Sequence, residues 1–506
     1  MKFTKHDLLQ IDEEYVNALT AAQSRQLTLD LLEQTKELMD RLNQNSSNTS
    51  IPPSKDAPWS KGNTEDDQEA NDTNGDESPH NTDDSQKSED SKPARNPGKQ
   101  PGAPGFGRKV ELPVTHTQDH CPSHCAVCNT TLDDNAPRVA ITGLYVVDIK
   151  TAQDSLGISV IHTLHTYYEL TCGCGHKTRT LPRRCDAEEG WSVKITEWHL
   201  CGPMLVSLIV CLSKRFHLSR RSIQEFLSDW LGIQLSKGVI NKSILEAGRA
   251  VAPLEDALIN DIKKAKLIHI DETSWKQLSA KLWLWVFATP TVCLFLIGPR
   301  TKEIAKKILD IFSGWLMSDG YSAYRYYQKR LRCWAHLDRK LKGLADSTDK
   351  IAQAFGKQGL GLFNMLKAAI YAARKGSHTD ISADAADLLA QFKQLCVEHR
   401  QCDHEKTQAL AREFLNDWET IWRVLSDVRL PLTNNEAERL LRHWVIGRQI
   451  SFGTRSNEGS RSFALLASVI ETCRLRGISP WPYLAEVIIA RRKNNPVPPL
   501  PLVSIV

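Results

Sequence analysis

The sequence predicts a multidomain α/β protein, and three observations carry that prediction. With 506 residues and 41% hydrophobic content, the chain can fill more than one buried core. Three short apolar segments bounded by turn residues, the pattern of successive strands, lie between long stretches of helical periodicity. A long intervening stretch almost free of large apolar side chains divides the chain, because it cannot bury enough surface to offset the entropy of ordering it.

Residues 1–46 place Leu8, Ile11, Tyr15, Leu19, Leu27, Leu31, Leu38 and Leu42 at three- and four-residue spacings among polar residues, an amphipathic helix. A leucine-rich coiled coil that pairs copies of the chain into a homo-oligomer follows from that stripe. The register slips between Ala22 and Gln26, so one helix packed on its own domain is the alternative. Residues 47–110 read as a disordered linker, acidic and then basic. From Thr64 to Lys92 there are eleven acids against two bases, so the formal charge of +4 on the whole chain leaves +13 on the rest. That excess favours a polyanionic partner such as nucleic acid, with plain solubility as the simpler reading.

No apolar run is long enough to span a bilayer, and the opening MKFTKHDLLQIDEE lacks the apolar core of a secretory leader. A cytoplasmic protein without a membrane partner is therefore expected. In such a compartment the thirteen cysteines, several in short-spaced clusters, read as metal ligands rather than disulfides. Within residues 111–186, a zinc-ribbon-like domain, Cys125 and Cys128 form C-x-x-C and Cys172 with Cys174 forms C-x-C, beside the β-rich runs VAITGLYVVDI and GISVIHTLHTYYEL. Four thiolates satisfy a tetrahedral structural Zn²⁺ and help a short segment to fold, with Cys121 and His176 as substitutes.

Residues 190–262 turn helical. LSRRSIQEFLSDWLGIQLSKGVINKSILEAGR reads as two helices joined at Gly232, with Ser236 capping the second. A helix-turn-helix would set Lys237, Asn241 and Lys242 of that second helix in the major groove, and an ordinary helical pair fits equally well.

Residues 263–345 switch to strands: KLIHIDET, KLWLWVFATP and TVCLFLIGP make an antiparallel meander, TKEIAKKILDIF a helix, and GWLMSDGYSAY and LRCWAHL further short strands or strand ends. The β-β-β-α-β-α order is that of an RNase H-like core, in which a mixed sheet carries carboxylates at neighbouring strand ends. Residues 346–427 read as a helical insertion, 428–490 as a helix bearing acids followed by a Gly/Ser/Arg loop and further helices, and 491–506 as a mobile tail.

Asp271 follows the apolar run LIHI and Asp319 follows GWLMS, so each sits where a buried strand emerges. Two such carboxylates, with a third from a helix crossing the sheet, can hold two Mg²⁺ ions, Mn²⁺ substituting, for phosphodiester hydrolysis. NNEAERLLRHW offers Glu436 or Glu438 as the third. The C-x-x-H pair Cys333 and His336 reads as support for that site, His336 reaching a phosphate or a carboxylate; a zinc pair or core packing are the other readings. Arg439, Arg442, Arg448, Arg455 and Arg461 lie beyond the acids as phosphate contacts, some of them surface ion pairs instead.

The strings IHIDET, SDGYSAY, CWAHLDRK and NNEAERLLR, followed by GSRSFALLASVIETCRLRGISPWPYL, resemble the transposases of the insertion sequence 66 family over nearly the whole chain. The resemblance implies an Asp/Asp/Glu DNA transposase with its triad on Asp271, Asp319 and Glu438 rather than Glu436. It also implies cleavage at the terminal inverted repeats of a mobile element, strand transfer into target DNA, and accessory transposition proteins. Thr433 stands where such enzymes often carry Asp, and the acidic linker is unusually long. Two rivals remain on the residues alone: a nuclease of the same fold that cuts without joining, and a non-catalytic DNA-binding regulator.

Overall fold

The computed structural model describes residues 11, 13–42, 113–133, 136–151, 157–185 and 190–503. The linker expected at 47–110 and the leucine stripe's first member, Leu8, lie outside the described residues.

The N-terminal periodicity resolves into two helices, α1 (Glu13–Ala18) and α2 (Ala21–Leu42), rather than one. The break comes at Thr20, whose N–H donates to Gln23 Oε1 (3.0 Å) while Gln23 N–H returns to Thr20 Oγ1 (3.4 Å), a reciprocal cap that starts a new helix. Leu29, Leu32, Leu38 and Met39 stay about half exposed along α2. Near its end Asp40 accepts hydrogen bonds from Ser347 Oγ (2.7 Å) and Thr348 N–H (2.9 Å).

The cysteine-bearing region is a small sheet of β1 (His116–His120), β2 (Arg138–Lys150), β3 (Ser159–Thr171) and β4 (Lys177–Arg179), in which β3 is flanked by β1 and β2 and also pairs with β4. A two-stranded ribbon, β5 (Arg184–Cys185) and β6 (Ile195–Thr196), follows. The helices α3 (Pro203–Lys214), α4 (Arg220–Leu231), α5 (Lys237–Ala250) and α6 (Glu255–Lys263) come next. Ser219 caps α4, Gly232 ends it in the left-handed region at φ 64°, and Ser236 caps α5 through Val239 N–H.

The central sheet contains β7 (Leu267–Gln277), β8 (Ala280–Ala288) and β9 (Cys293–Gly298), then helix α7 (Lys302–Leu309), then β10 (Trp315–Ser318) and β11 (Arg330–Arg332). Its order is β11-β10-β7-β8-β9: the first three strands form the antiparallel meander, and β10 and β11 run parallel to β7. Side chains alternate across it with period two. Leu284, Val286 and Ala288 of β8 face one core cluster, and Trp285 and Phe287 face the other.

The strand expected from LRCWAHL is shorter than the motif. Only Arg330–Arg332 are extended, and helix α8 (Trp334–Ala345) begins after Cys333, because Leu337, Leu341 and Leu344 bury at helical spacing. His336 therefore rides on a helix. The SAY of GWLMSDGYSAY likewise leaves the strand for a 3₁₀ turn, Ser322–Tyr324.

Helices α9 (Lys350–Lys375), α10 (Ala386–His399), α11 (Glu405–Asn416) and α12 (Trp418–Trp422) surround an aromatic core of Trp334, Phe363, Phe392, Phe414 and Trp422. Arg330 Nη2 meets Asp417 Oδ1 at 2.8 Å and Arg332 also pairs with Asp417, fastening these helices to the sheet edge at β11. Finally α13 (Asn435–Ser451) crosses β7 and β8, α14 (Asn457–Leu475) packs on β9 and α5, and α15 (Pro480–Arg492) packs on α3. No helix among the described residues is long and apolar enough to cross a membrane.

Candidate functional site

Strand β10 pairs with β7 in the register Trp315 to Leu267, Leu316 to Ile268 and Met317 to His269. Continued two steps, that register brings Asp319 level with Asp271 at the same end of adjacent parallel strands. Asp271 shares its face of β7 with Thr273 and Trp275, and Trp275 belongs to the same buried cluster as Leu441 and Trp444 of α13. The carboxylate thus belongs to the face that α13 crosses.

Helix α13 is held at this end by Asn434, which is fully buried. Its Nδ2 donates to Ile270 O (2.8 Å), its Oδ1 lies 3.2 Å from His269 Nδ1, and its N–H donates to Cys333 Sγ (3.3 Å). One residue, through its side-chain amide and its backbone N–H, therefore ties the residue before Asp271, the start of α13 and the start of α8 together. Glu438, in the first turn of α13, lies 3.1 Å from His336 Nε2 and 3.9 Å from Arg339 Nη2. The hydrogen bond with His336 holds the Glu438 carboxyl below the ordinary range. Glu436 turns the other way, to Arg439 at 2.8 Å.

Asp271 Oδ1 accepts from Glu272 N–H (2.9 Å) and Asp319 Oδ1 from Tyr321 N–H (3.0 Å), and neither forms an ion pair with Lys or Arg among the described residues. Burial, then the charges of Asp319, Glu272 and Glu438, push the Asp271 carboxyl well above the ordinary range. Asp271, Asp319 and Glu438 do not close to within 4.8 Å as a set, whereas ligand atoms of Cys333, His336 and Glu438 do. Carboxylate oxygens are the hard donors that divalent cations such as Mg²⁺ prefer.

The sequence reading missed three contributors. Glu272, its side chain 1% exposed, is held by Tyr324 Oη (2.5 Å) and Arg300 Nη2 (2.9 Å), and burial together with Asp319 pushes it up to about 7. The acid doublet in IDET was its signal, and strand alternation sends its two side chains to opposite faces. Asn434 and His269 are the others, and the Asn doublet in NNEAER was the hint for the first. Gly320 is required where it stands: its φ is +117°, and a Cβ there would lie 2.3 Å from the Arg332 guanidinium.

In the small sheet, the loop after β1 carries Cys125 and Cys128, and the β3–β4 turn carries Cys172 and Cys174. The four sulfurs gather within 4.8 Å, with Cys125 to Cys174 at 3.7 Å and Cys128 to Cys172 at 3.4 Å. Thr130, 3.2 Å from Cys128 Sγ, and then Cys172 and Cys174 draw the Cys128 thiol down to about 6. Cys121 and His176 stay outside this cluster, His176 contributing its carbonyl to Cys172 N–H (2.9 Å).

The basic residues divide. Lys237, Asn241 and Lys242 are exposed on α5, and Arg442 and Arg455 are exposed as well. Three arginines are engaged within the chain: Arg439 with Glu436, Arg461 with Glu255 (2.7 Å), and Arg448 with Thr273 Oγ1 (2.8 Å) and the Ser274 carbonyl.

The family model described as Transposase IS66 family matches residues 199–462. Uncharacterized protein y4qI of Sinorhizobium fredii is 24% identical over 290 residues, 51% of this chain and 53% of that protein. Uncharacterized protein y4hP of the same organism is 27% identical over 308 residues, 53% of this chain and 55% of that protein. The chain spans about half the length of the curated relatives it matches.

Proposed function

Since this chain belongs to the IS66 family of transposases, we propose that it is an Asp/Asp/Glu DNA transposase acting through Asp271, Asp319 and Glu438. The observation that carries the reading is the placement of Asp271 and Asp319 at the same end of two parallel strands, beneath the helix that bears Glu438. We read the β7–β11 sheet with α7 and α13 as an RNase H-like core interrupted by the α9–α12 insertion. The segment before it is read as a zinc ribbon and helical DNA-binding region, and α1–α2 as a self-associating helix.

In this reading Asp271, Asp319 and Glu438 hold Mg²⁺, which supplies an activated water and stabilises the departing 3′-oxygen. His336 positions Glu438 and holds its carboxyl below the ordinary range, while Asn434 sets the separation between Glu438 and Asp271. The freed 3′-hydroxyl of the element end would then be directed at a target phosphodiester in the same cleft. Cys125, Cys128, Cys172 and Cys174 hold a structural Zn²⁺.

Nicking of supercoiled plasmid carrying the element's inverted repeats tests the assignment. Activity should need Mg²⁺ and vanish in Asp271→Asn and Asp319→Asn while duplex binding survives. Nicking that persists in both variants rejects the triad, and cutting without any joined product points to a nuclease. Loss of the far-ultraviolet strand signal on zinc chelation checks the four-cysteine centre separately.

A further inference from the structure

The stretch LSKRFHLSRR, from the last turn of α3 into the first turn of α4, is dense in cations, and one of them is buried. Lys214 closes α3 with 8% of its surface exposed. Its Nζ lies 4.7 Å from the centre of the Phe463 ring, and no carboxylate or hydrogen-bond acceptor meets it among the described residues. Burial draws this amine down to about 7. An ammonium taken out of water without a counterion costs stability, so its retention calls for a ligand or a reason of packing.

Lys214 lines a cavity of about 530 Å³ whose wall also carries His217, Arg220, Asn241 and Arg455 and, among the described residues, contains no Asp or Glu. Arg220 Nη2 leans on Asn241 Oδ1 at 3.5 Å, leaving the rest of its guanidinium uncommitted. Two helix N-termini open on the same space through their capping serines, Ser219 of α4 and Ser456 of α14. The acid in the first turn of α14, Glu458, is turned aside to Ser192 N–H (3.1 Å) and Val193 N–H (3.3 Å). At the mouth Phe452 is 68% exposed and takes a left-handed φ of 55°, a conformation that a bulky residue rarely adopts. Among the described residues every charged group on the wall is basic, and the most buried of them meets an aromatic ring but no carboxylate or hydrogen-bond acceptor.

We propose that this cavity is a phosphate-binding site, and that in the DNA complex it takes a backbone phosphate of a strand also engaged at the Asp271 cleft. The second clause rests on the transposase reading; the first does not. Gly447 on the cavity wall and Glu438 at the cleft lie on the same helix, nine residues apart, roughly 13 Å at 1.5 Å per residue. Measured along a duplex axis, the same distance is the rise of about four base pairs.

The test titrates the full chain with inorganic phosphate and, separately, with a duplex carrying the inverted repeat at several salt concentrations. Lys214→Met should weaken phosphate binding at least about tenfold and flatten the salt dependence of duplex binding by about one released ion. Arg455→Gln, an exposed change at the mouth that leaves the fold alone, should lower both by a smaller factor and decides the matter if Lys214→Met does not fold. Asp271→Asn should bind phosphate as the parent does, so a failure of the catalytic assignment does not touch this arm. Unchanged phosphate binding in both cavity variants overturns the site. Loss of phosphate binding with unaltered duplex affinity and salt slope overturns the assignment to DNA in favour of a free anion.

Discussion

The two ends of helix α13 carry opposite problems of the same kind. At its N-terminal end the charges of Asp319, Glu272 and Glu438 all act on Asp271, which burial and these neighbours drive toward its neutral form. At its C-terminal end Lys214, Arg220 and Arg455 share a cavity without an acid, and Lys214 is driven toward its neutral form by burial. Like charges kept near one another in partly buried places lower the stability of the folded chain, and their survival points to ligands of the opposite sign. A cation at one end and a phosphate at the other would each relieve the strain. The difference lies in support: the acidic end is latched by Asn434 and His336, whereas the basic end is closed by helix caps and an exposed aromatic.

The largest effect expected from breaking this comparison is at the acidic end. Asp271→Asn or Asp319→Asn should lower Mg²⁺-dependent nicking by about 10²- to 10³-fold or more, read in single-turnover assays, with duplex affinity kept. Next, His336→Ala should cost about ten- to a hundredfold in rate. Removing the bond that holds Glu438 low lets its carboxyl rise, so the acid limb of the pH–rate profile should move to higher pH, and His336→Gln should restore part of the shift.

At the basic end the sign reverses. Lys214→Met should raise the melting temperature, whereas a purely structural lysine would lower it. The folded amine titrates near 7 and the unfolded one near its ordinary 10.5, so between those values the unfolded chain binds more protons and parental stability climbs with pH. The gain from the substitution should therefore be greatest below pH 7 and fade toward pH 10. His217 and Arg220 share the cavity, and Arg215 and His443 pack behind them, so the scan needs matching parental controls. The smallest effect belongs to Arg461→Ala. It breaks a half-exposed pair with Glu255, costs under about 1 kcal/mol and leaves the salt slope of duplex binding unchanged if Arg461 stays off the DNA.

Much of the molecule was readable before its fold. The meander follows from the short apolar runs of KLIHIDET and KLWLWVFATP between turn residues, the α4–α5 junction from Gly232 and Ser236, and the four-sulfur cluster from the spacing of Cys125, Cys128, Cys172 and Cys174. The division of the arginines was not readable. Arg448 and Arg461 look like free phosphate contacts in a Gly/Ser-rich setting, but Thr273 and Glu255, far away in sequence, reach them first. Where LRCWAHL stops being extended was not readable either, because Cys333 and Trp334 prolong an apolar run and the leucines that mark a helix there come after His336.

What the sequence alone determined is therefore local: periods of two and near 3.6, caps, turn glycines and ligand spacings, all set by neighbours within a few residues. What only the tertiary structure decided is which distant groups meet. Asn434 finds the carbonyl of Ile270 across 164 residues, and Lys214 comes to rest over Phe463 with no acid in reach. Contacts of that kind depend on how helices cross a finished sheet, and a short stretch of chain holds no record of it.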